Sequence, residues 1–199
     1  MGTYKINNIK INNMKDIDYF IQEKLKINSK TKVETYNYQP QSKDELQNLL
    51  EKLLINERGE NGNLNDIDVS KISDMSYLFY DLRFVKNIDI SEWDVSNVTD
   101  MTSMFESCKK FNCDLAKWNV HNAKNMERMF YNCKTFNSDL SKWDVKKCIH
   151  FFTMFYDCES LNQNFDDWQI NKDADVQFMF GGCNAMKHKP DWYTARINS

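Results

Sequence analysis

Four of the six cysteines, Cys108, Cys133, Cys158 and Cys183, recur at intervals of 25 residues. Thiols can pair as disulfides, hold a metal or attack an electrophile, and the first two need the sulfurs to converge on one point. A zinc site asks for close ligand pairs such as CxxC. An even spacing of this length spreads the thiols along an axis instead. The column predicts core packing, with free cysteine serving as a small apolar residue. Cys113 and Cys148 fall off the column as lone thiols. The three histidines, His121, His150 and His188, occupy three different repeat positions and share no consistent carboxylate or thiol partner. No GxSxG, HExxH, P-loop or GxGxxG is present. A chain with 29 Asp and Glu residues offers acid pairs anywhere, so these carry no weight. The residues that could do chemistry therefore predict a non-enzyme with neither cofactor nor metal.

What must position these residues is a tandem repeat. Trp93, Trp118, Trp143 and Trp168 are spaced by 25 residues and Trp192 follows after 24, with a degenerate copy opening at Ile67. Three copies begin WDVSNVTDMTSMFESCKKFN, WNVHNAKNMERMFYNCKTFN and WDVKKCIHFFTMFYDCESLN. Around each Trp the pattern Leu115-x-x-Trp118-x-Val120 is that of a leucine-rich-repeat strand. Val98, Met101, Met104, Phe105 and Cys108 then form one stripe of a short helix, with Ser96 as its N-cap and Asp100 in its first turn. These spacings predict an α/β repeat: a leucine-rich-repeat-like solenoid of short parallel strands and short helices, carrying an N-terminal α/β cap. Asn87, Asn112, Asn137 and Asn162 form a further column, read as an inward ladder that satisfies turn backbone. The Met104/Met129/Met154/Met179 and Phe105/Phe130/Phe155/Phe180 columns read as core.

The W-D-V-S-N-V-T-x-M-x-x-M-F-x-x-C-x-x-F-N-x-D-L pattern closely resembles the BspA-like leucine-rich-repeat proteins of bacteria, in particular their 25-residue repeat class of unknown function. The resemblance covers Asn65 to Trp192, and the stretch from Gln41 to Val69 looks like the lead-in helix of that class. It implies a solenoid and, in many members, adhesion at the cell surface. It implies no catalytic site.

Residues 1–64 are expected to be a cap or small α/β domain, 65–192 a five-repeat solenoid and 193–199 a tail. Ser42-x-x-Glu45 is a capping box that opens an amphipathic helix to about Ile55, with Leu46, Leu49, Leu50, Leu53 and Leu54 on one stripe. Ile6, Ile9 and Ile11 read as a strand, Ile17 to Leu25 as a short helix and Thr35 to Tyr38 as a second strand. Apolar residues make up 41% of the 199, enough for a real core. The net charge of −3 is spread without a basic block, which argues against nucleic acid as partner. No apolar stretch fits a signal peptide or membrane span. A cytoplasmic location follows from the sequence as it stands, and a surface location would need a leader that has been removed.

Exposed positions that vary between copies are the candidate partner-binding residues. The expected sheet face carries Glu92 and Asp94, Lys117 and Asn119, Lys142 and Asp144. The expected helix side carries Tyr80, Tyr131 and Tyr156 at one position, joined by Ile149, Phe152 and Phe178 where earlier copies are polar. The functional expectation is a protein-interaction module with another protein as partner. The alternatives are a small inhibitor or mimic of mobile-element type that blocks a macromolecular complex, and a surface adhesin lacking its leader.

Overall fold

A computed structural model describes residues 4–6, 9–11 and 36–198. The chain divides into two compact units, Met1–Thr35 and Tyr36–Ser199. In the first, strands β1 (Tyr4–Ile6) and β2 (Ile9–Ile11) pair antiparallel, Tyr4 opposite Ile11. The single strand expected at Ile6 to Ile11 is thus two. The helix expected over Ile17 to Leu25, and Thr35 of the second expected strand, lie outside the described residues.

The second unit opens with helix α1 (Lys43–Glu51), followed by a π-helical turn, Lys52–Glu57. The Ser42 hydroxyl accepts the Glu45 N–H, and the Glu45 carboxylate accepts the N–H of Gln41. These bonds satisfy amide groups that a helix start otherwise leaves orphaned. Leu46, Leu50, Leu53 and Leu54 are buried on one stripe. Helix α2 (Asp191–Ile197) lies at the other end. Tyr193 is buried with its ring 5.0 Å from Phe180.

Between residues 62 and 190 the backbone has no strand and no helix. The α/β solenoid of leucine-rich-repeat type is not what this chain builds. Each copy is instead a run of tight turns, and successive copies lie in layers. Single parallel bridges join Asp74 to Asp100, Asp100 to Asn125, Asn125 to His150 and His150 to Asp175.

Three features of the sequence override the helix and strand patterns. The first is the apolar spacing itself. Leu115 accepts from the Trp118 N–H, Val120 from Ala123, Met126 from Met129, Phe130 from Cys133 and Cys133 from Phe136. The residues three apart that mimic a helix stripe are the two ends of successive β-turns. The second is the side chain that opens many of these turns. Asp94, Asp100, Asp114, Asn125 and Asp139 each accept the N–H two residues on. Such local bonds compete with helix formation, so Asp94 and Asp100 hold turns where Ser96 was expected to cap a helix. The third is chirality. Tyr77, Ser103, Arg128, Thr153 and Phe178 form one column with positive φ, between 51° and 59°, and Asp81, Ser107, Asn132, Asp157 and Gly182 form a second. A left-handed residue every few positions rules out a helix.

Freed from the helix, alternate amides reach the next layer. The N–H groups of Met101, Ser103, Phe105 and Ser107 donate to the carbonyls of Asn125, Glu127, Met129 and Tyr131. Side chains bond in the opposite direction. The indole N–H of Trp118 donates to Ile90, that of Trp143 to Leu115 and that of Trp168 to Leu140, each buried. Phe79, Phe105, Phe130, Phe155 and Phe180 stack at 5.2 to 5.6 Å down the middle, all fully buried. Burying one such ring contributes roughly 1.5–3 kcal/mol, so every added layer lengthens a continuous core.

Candidate functional site

The cysteine column belongs to this core. Sγ of Cys108, Cys133, Cys158 and Cys183 donates to the carbonyl of Phe79, Phe105, Phe130 and Phe155, at 2.8 to 3.0 Å. The thiols are therefore layer-to-layer donors as well as small apolar groups. Burial pushes Cys108 and Cys183 up to about 12, and Cys133 and Cys158 also rise. Off the column, burial lifts Cys113 to about 11 and Cys148 to about 12. None of the six is a ready thiolate at neutral pH. The asparagine column is exposed rather than inward: Asn112 and Asn137 accept the backbone N–H of Asn137 and Asn162, one layer on. Among the histidines, His121 contacts Asn119 at 2.8 Å and His188 contacts Asp166 at 3.1 Å, both on the surface.

The sheet face expected to carry the charged ladder does not exist, because these residues stand at turn corners. Glu92 is bound by Lys117 and Asp167 lies 3.9 Å from Lys142, so the ladder pairs with itself between layers. Asp94, Asn119 and Asp144 accept the N–H groups of Ser96, His121 and Lys146 and serve to close turns.

The aromatic candidates lie on a ridge of turns, with no helix beneath them. Tyr131 and Tyr156 come together, their rings parallel within 9° and 5.4 Å apart. Tyr80, half exposed, stands away from them, because Glu106 fills the intervening layer. In the last layer that position is Gly181, where an added Cβ would fall 2.6 Å from the Tyr156 ring. Phe152 and Phe178 meet edge to face at 6.1 Å, and Ile149 is 38% exposed.

Two residues that the sequence patterns missed hold this ridge in place. Arg128 lies over the Tyr131 ring at 4.3 Å, and its guanidinium reaches both carboxylate oxygens of Glu106, at 2.6 and 2.9 Å. Glu106 is only 5% exposed and also accepts from the Ser103 hydroxyl. Burial works to raise the Glu106 pKa, but the bonds from Arg128 and Ser103 outweigh it and leave the carboxyl below its ordinary value. The available signal was a pair of opposite charges in neighbouring layers, on columns where no other layer carries a charge.

A family model described as a Mycoplasma protein of unknown function, DUF285, matches residues 44–152 and again 73–193. The chain belongs to this family. The two matches overlap, so the family pattern fits this chain in two registers, as a tandem repeat allows. No curated protein and no solved structure matches. Among the described residues, no cluster of His, Cys, Asp and Glu could hold a metal ion, and no helix is long and apolar enough to cross a membrane.

Proposed function

We propose that this DUF285 protein is a binding module without catalytic activity, and that another protein docks on the ridge carrying Arg128, Tyr131, Phe152 and Tyr156. One observation carries this reading. Tyr131 and Tyr156 are half-buried, stacked on each other, and fixed by an Arg128 that is itself anchored to Glu106. Tyrosine and arginine dominate the energetically central residues of protein interfaces. Rings already held in place lose little freedom when a partner arrives. The charged corners are solvated and already paired, Lys117 with Glu92 and Lys142 with Asp167, an arrangement worth little to affinity.

The test is affinity capture from the native host with the wild-type chain and two variants of unchanged circular dichroism. Tyr131→Ala with Tyr156→Ala should lose the captured partner, whereas Lys117→Glu with Lys142→Glu should retain it. Retention by the tyrosine variant would refute the assignment.

A further inference from the structure

We propose that copies of this chain associate end to end, with Phe178 at the last layer of one molecule entering an apolar groove beside α1 at the first layer of the next. Phe178 borders the tyrosine ridge at Phe152, but the contact joins the two ends of the stack and does not depend on the reading given above.

Along residues 75–81 and their counterparts in later layers, the layer-to-layer backbone bonds run in one direction. Met75, Tyr77, Phe79 and Asp81 donate to the carbonyls of Asp100, Thr102, Met104 and Glu106, and Phe151, Thr153, Phe155 and Asp157 donate to Asp175, Gln177, Met179 and Gly181. Every layer sends these amides toward the C-terminal end and offers these carbonyls toward the N-terminal end. The stack is therefore polarised, and its two ends are unlike.

At the C-terminal end the corresponding donors are Val176, Phe178, Phe180 and Gly182. Helix α2 covers this end incompletely. Its Trp192 and Arg196 satisfy the carbonyls of Phe165, Ala174 and Ile170, and its Tyr193 ring packs on Phe180. The amides of Val176, Phe178 and Gly182 have no acceptor among the described residues. At the N-terminal end the matching carbonyls, those of Ser76, Leu78 and Tyr80, have no donor among the described residues. One end thus carries the partial charge that the other lacks.

The apolar surface is complementary in the same sense. Phe178 is 59% exposed with φ of 54°, a backbone conformation unfavourable for a bulky residue. The edge of Phe152 sets its ring. The first layer presents the socket, a groove of about 260 Å³ between α1 and the turns, whose apolar lining is Leu50, Leu54, Ile55, Leu78, Leu82 and Phe84, with Gln47 and Glu51 of α1 completing the wall. An apolar cavity of ~150 Å³ takes a benzene ring. Ile55, at 62% exposure, and Phe84, at 39%, stand at its rim. A knob at one end and a socket at the other make a head-to-tail contact, which generates open chains or rings.

The test is sedimentation velocity on the full chain and on two single variants. Phe178→Asn removes the knob and places a residue that tolerates this backbone. Ile55→Glu puts a charge on the exposed rim of the socket. The wild type should gain mass with concentration and pass beyond the dimer. Each variant alone should associate at least about tenfold more weakly while unfolding as cooperatively as the wild type. An equimolar mixture of the two should form a dimer and nothing larger, because each retains one intact end. A wild type that stays monomeric up to about 1 mM, a variant that associates like the wild type, or a mixture that forms no dimer would each overturn the proposal.

Discussion

The thiol of Cys133 donates to the backbone carbonyl of Phe105, 28 positions earlier, at 2.9 Å. Both groups are fully buried, and the same bond recurs at Cys108, Cys158 and Cys183. The Phe105 carbonyl also accepts the Cys108 N–H, so loss of the thiol removes one of its two bonds, worth about 0.5–1.5 kcal/mol. Cys133→Ala should lose that amount plus a small packing term in urea unfolding. Cys113, whose sulfur has only a long 3.6 Å contact with Asp114, is the control. Cys113→Ala, a buried truncation off the column, should lose only the packing term, about 1 kcal/mol. Equal losses would mean that the thiol column merely fills space.

Glu106 and Arg128 should behave as a unit. Arg128→Ala leaves a buried carboxylate with the Ser103 hydroxyl as its remaining side-chain partner. Removing one member of a buried pair costs roughly 3 kcal/mol, whereas replacing both by uncharged groups of similar size costs far less. Glu106→Gln with Arg128→Met should therefore be more stable than Arg128→Ala alone. Chemical denaturation of the two variants checks this, and a double variant no more stable than Arg128→Ala would contradict it.

Acid should loosen the N-terminal end through Asp66. Bidentate bonding from Arg58, at 2.6 and 2.9 Å, outweighs desolvation and, with a bond from Asn37, lowers the Asp66 carboxyl from 3.8 to about 2. Because the folded-state value is depressed, the carboxylate contributes stability above about pH 4. That contribution is lost as pH falls toward about 2. Thermal unfolding followed over this window should show a steeper decline for the wild type than for Asp66→Asn. Parallel curves would remove Asp66 from the acid response.

The layer-to-layer neighbours were legible in the sequence, because a fixed period brings equivalent positions together. Trp118 and Trp143 stack at 6.4 Å, and Tyr131 lies against Tyr156. The helix start at Ser42 was legible as well, since its cap and first turn are local. The conformation within a layer was not. Apolar residues three apart serve an amphipathic helix and a chain of β-turns equally well, and the deciding evidence lay in Asp94, Asp100 and Asn125, whose side chains close turns. The setting of the charged corners was hidden for the same reason, since Glu92 and Lys117 stand on no sheet. Arg128 escaped notice because its partner Glu106 is 22 positions away, off the repeat period.

The indole bonds carry a consequence for how this molecule can change in length. Trp118, Trp143 and Trp168 each reach a carbonyl 28 positions back, and Trp93 and Trp192 reach 29 and 27. Length is therefore quantised. Excising residues 119–143 as a block would let every remaining Trp, Cys and Phe find an equivalent neighbour, whereas excising half as many would misalign all three at once. The single-residue slack at the two outermost indoles marks where the count can be off by one. Gene duplication and loss in units of one layer are the changes such a chain can survive.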